Sequence, residues 1–338
     1  MNNPFNTISI TKTAVPGIVS QIDMIPTISS FLYEKSSITI KNDQILTIDN
    51  VDYFVEQLSD KGNKGAHSLI LKLFIDNDGE KEDSHLVLKV SNVFDNWIPK
   101  KFNVKEANNS FYREIDCLRK CKERCSNFII PIHYWGHLVC KKKNEKGYYS
   151  NVFFPFYMMD CADCDLKQFL ENNEIDKKEK LSICYQIASG LEELHAIGCY
   201  HRDIKPDNIL LFDKELRIGD LGLIRYRNED IQDAKGIIGP KGWISPEAMN
   251  KYLNEEKVFD NRINTLINEQ SDIFQLGMVF WYIFQGNAPI GCIKRTDFFD
   301  ENEMIFSLIK RMIYHSTEKR IKSIGEVKEE LSRIIDKI

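Results

Sequence analysis

His201-Arg202-Asp203-Ile204-Lys205-Pro206-Asp207-Asn208 leads directly into the apolar run Ile209-Leu210-Leu211-Phe212, and Asp220, in Gly219-Asp220-Leu221-Gly222, comes twelve residues after Asn208. Ahead of this stretch Ile183, Ile187, Leu191 and Leu194 fall on one helix face, and Gly198 stops the pattern. The eight residues therefore lie between a helix and an apolar run. Two acidic residues and an Asn on neighbouring loops suit a Mg²⁺–nucleotide reaction. Hard oxygen ligands hold the cation, and a separate carboxylate receives or orients an attacking hydroxyl.

The rest of the composition narrows the class. The chain has 338 residues, 43% of them hydrophobic and 28% charged, which is enough apolar side chain for a real core in two lobes or one large domain. Lys plus Arg total 45 against 50 Asp plus Glu, a formal charge of −5, so there is no global basic field for a nucleic acid and no such partner is expected. The longest apolar stretch, Ile273 to Phe284, contains Gln275 and falls short of the roughly 20 residues a bilayer span needs. Met-Asn-Asn-Pro-Phe-Asn at the start has no basic patch followed by an apolar run, so no secretory signal and a cytoplasmic location are expected. Nine cysteines, an odd and scattered set, fit reduced thiols there. Cys161-Ala162-Asp163-Cys164 and the helically spaced Cys117, Cys121 and Cys125 invite a zinc reading, but no second pair with finger-like spacing exists, so thiols are favoured.

Residues 1–50 are polar and interrupted by Pro16 and Pro26, and read as an extension with one strand at most, over Ser36–Ile45. From Val51 the character changes. VDYFVEQL, SLILKLFI and HLVLKV are β-like, and Asp76-Asn77-Asp78-Gly79 is a strong turn signal between the last two. EKEDS after the turn reads as a solvated hairpin tip. Ala107–Lys122 has helical spacing through Phe111, Ile115 and Leu118; HYWGHLV and NVFFPFYMM follow as strands joined by a Lys-rich loop. Beyond Asp165 the pattern is helical, with Leu276, Phe280 and Ile283 in one helix and Met304–Ile313 in another. The expected division is an extension over 1–50, a β-rich lobe over 51–160 and an α-rich lobe over 161–338.

HRDIKPDN resembles the catalytic loop of eukaryotic-type protein kinases, with the His-Arg-Asp, Lys-Pro and Asn positions at that family's spacing. The resemblance implies the α+β bilobal kinase fold, with a β-rich N-lobe carrying one main helix and an α-rich C-lobe. It also implies ATP and Mg²⁺ as cofactors and a protein substrate. Asp203 then matches the catalytic base, Asn208 a metal ligand, and Asp220 the metal-binding aspartate of the DFG motif, with Leu221 in place of Phe. Lys205 matches the lysine that Ser/Thr kinases use near the γ-phosphate. Lys89 looks like the lysine that holds the α- and β-phosphates, and Glu114, 25 residues on, like its ion-pair partner. Met159, Asp160 and Cys161 fall at the hinge beside the nucleotide, with Met158 or Met159 at the back of the adenine pocket. Ser245-Pro246-Glu247 matches the APE motif, Arg320 its ion-pair partner, and Asp272 and Gly277 the start of the long C-lobe helix. The likeness runs from about Val51 to the end.

Three departures stand out. The loop expected to cover the phosphates, Ser59 to Ala66, has only Gly62 and Gly65, so fewer backbone N–H groups can close on them. Between Asp220 and Glu247 the only hydroxyls are Tyr226 and Ser245, so the usual Ser/Thr phosphosite is absent, and Glu229, Asp230 or Asp233 are the candidates for a fixed charge facing Arg202. Pro240 stands where Ser/Thr kinases commonly place a Thr. Two alternatives remain open: a pseudokinase scaffold, and a small-molecule phosphotransferase of the same fold. Residues 1–50 are open as a segment that docks a regulatory partner, guards the site or lies disordered.

Overall fold

The computed structural model describes residues 10–12, 26–34, 37–39, 45–48, 51–58, 68–91, 104–143, 146–227, 242–254 and 265–338. Packing divides the chain into two units, Met1–Asp116 with Pro131–Cys161, and Cys117–Ile130 with Ala162–Ile338.

The first unit is built on one sheet. Its strands are β1 (Ile10–Lys12), β2 (Pro26–Glu34), β3 (Ser37–Thr39), β4 (Ile45–Ile48), β5 (Val51–Gln57), β6 (Ser68–Asn77), β7 (Glu80–Ser91), β8 (Tyr134–Lys143) and β9 (Tyr149–Asp160). They run in the order β1-β2-β8-β9-β7-β6-β5-β4, with β3 also on β2. The β6–β7 turn is made by Asp78 and Gly79 at φ 53° and 89°, and the Gly79 N–H donates to the Asp76 carboxylate at 2.8 Å. Positive φ at both positions matches the twist of a two-residue hairpin. Alternate residues (Leu71 and Leu73, Leu88 and Val90, Leu138 and Cys140, Phe154 and Phe156) are buried in one apolar cluster on one face of the sheet. Helix α1 (Val104–Glu123) packs on the opposite face in its first part, where Phe111 lies 5.7 Å from the Tyr157 ring.

Three sequence expectations change here. Among the described residues four strands, not one, lie ahead of Val51. Pro26 opens β2, a position where a missing N–H breaks no ladder, and β2 pairs in parallel with β8 from Thr27↔His137. The run from Glu80 is exposed, yet it is the first half of β7, paired from Asn77↔Glu80 to Phe74↔Asp83. Lys141–Lys143 likewise continue β8 against Asn151–Tyr149. In both cases the backbone partner across the hairpin sustains the strand after side-chain polarity has stopped signalling it.

The second unit contains α2 (Leu166–Asn172), α3 (Lys177–Ala196), α4 (Pro246–Asn254), α5 (Glu269–Gln285), α6 (Glu303–Met312) and α7 (Ile324–Ile335), with short strands β10 (Cys164–Asp165), β11 (Cys199–Tyr200), β12 (Ile209–Phe212), β13 (Glu215–Ile218) and β14 (Arg225–Tyr226). Helix α5 is buried nearly all round, from Ser271 to Phe284, as a central core helix must be. It starts with a capping box between Asn268 and Ser271 and ends at Gly286, whose φ of 74° suits a glycine. No helix among the described residues is long and apolar enough to cross a membrane.

Candidate active site

Helix α3 ends at Ala196, Gly198 turns the chain at φ 76°, and β11 delivers it to His201. The loop from His201 to Lys205 is held from beneath by α5. Asp272 is fully buried, and its carboxylate accepts the backbone N–H of His201 at 2.8 Å and of Arg202 at 2.7 Å, with His195 Nε2 at 2.9 Å. A buried carboxylate needs such a set of donors to offset lost hydration. Gln275 completes the clamp: Oε1 accepts the Ile204 N–H at 3.1 Å and Nε2 donates to the Arg202 carbonyl at 3.2 Å. These bonds keep Arg202 at φ 71°, a left-handed conformation that costs a non-glycine residue roughly 1–2 kcal/mol.

The bent loop aims its side chains. His201 Nε2 lies 3.1 Å from the Gly219 carbonyl, and Nδ1 takes the Asp203 N–H at 3.2 Å. A carbonyl can only accept and an amide can only donate, so the ring is the Nε2–H tautomer with both nitrogens occupied. It ties the loop to the residue before Asp220 and is not placed for acid–base work. Asp203 Oδ2 accepts from Lys205 Nζ at 3.1 Å and Asn208 Nδ2 at 2.8 Å, and Asn208 Nδ2 also donates to the Asp203 carbonyl at 2.8 Å. Asp203 Oδ1 is buried and has no hydrogen-bond partner among the described residues. Burial pushes the Asp203 pKa up, Lys205 pulls it back, and the nearby Asp220 carboxylate pushes it further. Asp220 itself takes the left-handed conformation, φ 49°, with the buried Leu221 after it.

In the first unit, Lys89 of β7 and Glu114 of α1 form a buried ion pair at 2.8 Å. Tyr157 of β9, directly opposite Lys89 in register, donates its hydroxyl to the same Glu114 oxygen at 2.9 Å. Met159 shares the sheet face of Tyr157 and Lys89, whereas Met158 is part of the apolar cluster on the other face. Asp160 takes His133 Nε2 at 2.6 Å, and the Cys161 N–H donates to the His85 carbonyl at 2.7 Å. Gly62, Gly65, Glu229, Asp230, Asp233 and Pro240 lie outside the described residues.

Ser245 is buried and sits at the start of α4, its Oγ 3.4 Å from the Ala248 N–H. Glu247 behind it is paired in bidentate fashion with Arg320, at 2.7 and 3.2 Å. Tyr226 takes Lys120 Nζ at 3.0 Å.

Residues 93–338 match the protein kinase domain family, which is most of the chain. The chain belongs to the protein kinase family. The match begins after Lys89, so the first strands and the Ser59–Ala66 loop lie outside it. Serine/threonine-protein kinase cds1 of Schizosaccharomyces pombe is 27% identical over 236 residues, 64% of this chain and 46% of that protein. Dual specificity protein kinase TTK of Mus musculus is 24% identical over 141 residues, 40% and 16%. Eukaryotic translation initiation factor 2-alpha kinase 1 of Plasmodium falciparum is 32% identical over 159 residues, 45% and 9%. The chain thus spans less than half the length of these relatives.

Several residues of the candidate site leave little trace in the sequence. Tyr157 reads as one more core aromatic in a strand, and only its parity with the helix-facing positions marks it. His195 reads as a helix-end histidine. Gln275 left a signal, as the lone polar residue in the apolar run of α5.

Proposed function

We propose that this chain is an ATP- and Mg²⁺-dependent protein kinase that phosphorylates protein hydroxyls, on Ser or Thr, in the cytoplasm. The observation that carries the reading is the Asp203 carboxylate. One oxygen is held by Lys205 and Asn208, and the other is buried without a partner among the described residues. An acceptor hydroxyl is the partner that oxygen lacks, and a base with a raised pKa is better suited to take its proton as the oxygen attacks phosphorus. Lys205 offsets the charge that grows on the transferred group. Lys89, held by Glu114, orients the α- and β-phosphates, with Gly62 and Gly65 in the covering loop and Met159, Asp160 and Cys161 beside the base.

Asn208 and Asp220 are the residues that would hold Mg²⁺. Asn208 commits its amide N–H₂ to Asp203, which leaves the carbonyl oxygen as its cation ligand, and Asp220 is the carboxylate that raises its neighbour's pKa. When bound, the cation neutralises charge on the phosphate oxygens. Lys205 and the Ser245-Pro246-Glu247 segment favour a protein acceptor over a small molecule. Ser245 is buried, so activity requires no Ser or Thr phosphorylation between Asp220 and Glu247.

The test is phosphotransfer from γ-labelled ATP with Mg²⁺ to generic protein acceptors, by the intact chain and Asp220→Ala side by side. Label on protein Ser or Thr that vanishes in the variant is expected. Label on Tyr alone would overturn the specificity. No transfer by the intact chain, with Mn²⁺ as well, would overturn the activity in favour of a pseudokinase.

A further inference from the structure

Helix α1 meets three adjacent strands of the sheet, in the order β8, β9, β7, through three neighbouring residues. Tyr112 OH lies 2.7 Å from Nε2 of His137 on β8, Phe111 packs against Tyr157 of β9, and Glu114 pairs with Lys89 of β7. At 3.6 residues per turn Tyr112 and Glu114 point about 160° apart around the helix axis, with Phe111 between them. The helix is therefore pinned on both flanks. A roll that withdraws Glu114 from Lys89 must first break the bond at Tyr112.

The anchor is well suited to that task. His137 is buried, and its Nδ1 has no hydrogen-bond partner among the described residues, so Tyr112 is the ring's one recorded hydrogen bond there. Breaking it would leave the buried imidazole without a hydrogen-bond partner among the described residues, which makes the alternative state costly. Strand β8 is no loose edge, because β9 flanks His137 at Pro155 and β2 flanks it at Thr27. Burial holds the His137 pKa down at about 4 and raises that of Tyr112 to about 12, so neither group changes charge near neutral pH.

We propose that Tyr112 and His137 are positioning residues that lock the roll of α1 and so keep Glu114 engaged with Lys89. The functional weight of this lock rests on reading Lys89 and Glu114 as the nucleotide-orienting pair.

The test needs no nucleotide, so it fails or succeeds separately from that reading, which the phosphotransfer assay decides. Lys89 is acetylated in the full chain with acetic anhydride, and its rate is read by peptide mass spectrometry against exposed Lys167 as an internal reference. Tyr112→Phe is expected to speed Lys89 acetylation about five- to tenfold, the scale of one buried hydrogen bond, and to add nothing in a Glu114→Gln background. His137→Leu should behave as Tyr112→Phe does. His137→Gln, whose amide can take the place of Nε2, should stay near the unmodified rate. An unchanged Lys89 rate in both Tyr112→Phe and His137→Leu would overturn the proposal, as would an equal acceleration with and without Glu114.

Discussion

Arg320 uses every N–H of its guanidinium on Glu247 and its surroundings. Nη1 and Nη2 take the Glu247 carboxylate at 2.7 and 3.2 Å, and the remaining bonds go to the carbonyls of Gln270, Tyr314 and His315. Both side chains are buried. The pair fastens the start of α4, just after Ser245, to the segment ahead of α7.

Removing one partner of such a pair leaves a buried charge and several carbonyls unmatched. Arg320→Met is expected to lower the free energy of unfolding by about 3–5 kcal/mol in urea titrations. The double variant Arg320→Met with Glu247→Leu should recover part of that loss, because no charge is then stranded. A single variant within about 1 kcal/mol of the parent would show that the pair is not holding α4.

The acid limb of the pH–rate profile should report Asp203. Burial moves its pKa upward and Lys205 opposes the shift. With Asp203 as the proposed base, transfer is expected to rise with pH through a midpoint above the ordinary carboxylate value. Lys205→Met removes the opposing charge, so the midpoint should move to higher pH as well as the rate falling. A limb that stays in place in that variant would assign it to another group.

What could be read in the sequence, and what could not, follows from where the information lies. Asp203, Lys205 and Asn208 share one short loop, so their spacing is local and legible. Nothing local pairs Lys89 with Glu114, only the family resemblance does, and the structure brings them to 2.8 Å. Strand β2 is not legible because its ladder partner β8 lies about a hundred residues away and PTISSFLYE alternates poorly. Tyr157 and His137 are hidden for a different reason. A polar group tucked among core aromatics looks like packing until its hydrogen-bond partner is known.

His137 also makes a stability prediction with a definite sign. Its folded pKa is about 4 against an ordinary value of 6.5, so in that window the unfolded chain binds the extra proton. Its contribution is fully present above about pH 6.5 and is lost as pH falls toward 4, by on the order of 3 kcal/mol. Other groups titrate in the same range, so the measurement is a difference. The stability advantage of the parent over His137→Gln in urea should shrink between pH 7 and pH 4.5. An advantage that is constant with pH would mean that His137 is not buried as described.

Gly277 sets two small effects against each other. A Cβ there would lie 2.7 Å from Ile313 Cγ2 and 2.7 Å from Met312 Cβ, where α5 meets the end of α6. In a free helix, Gly→Ala is favourable by roughly 0.5–1 kcal/mol. Overpacking a well-filled contact costs about 1–3 kcal/mol, and here one of the two obstructing atoms is a Cβ that moves only with its backbone. Overpacking should win. Gly277→Ala is expected to lower the urea midpoint with an unchanged slope, corresponding to about 1–2 kcal/mol net. A raised midpoint would mean that α6 gives way at Met312 without cost, and that the close approach of these helices is not a constraint on residue 277.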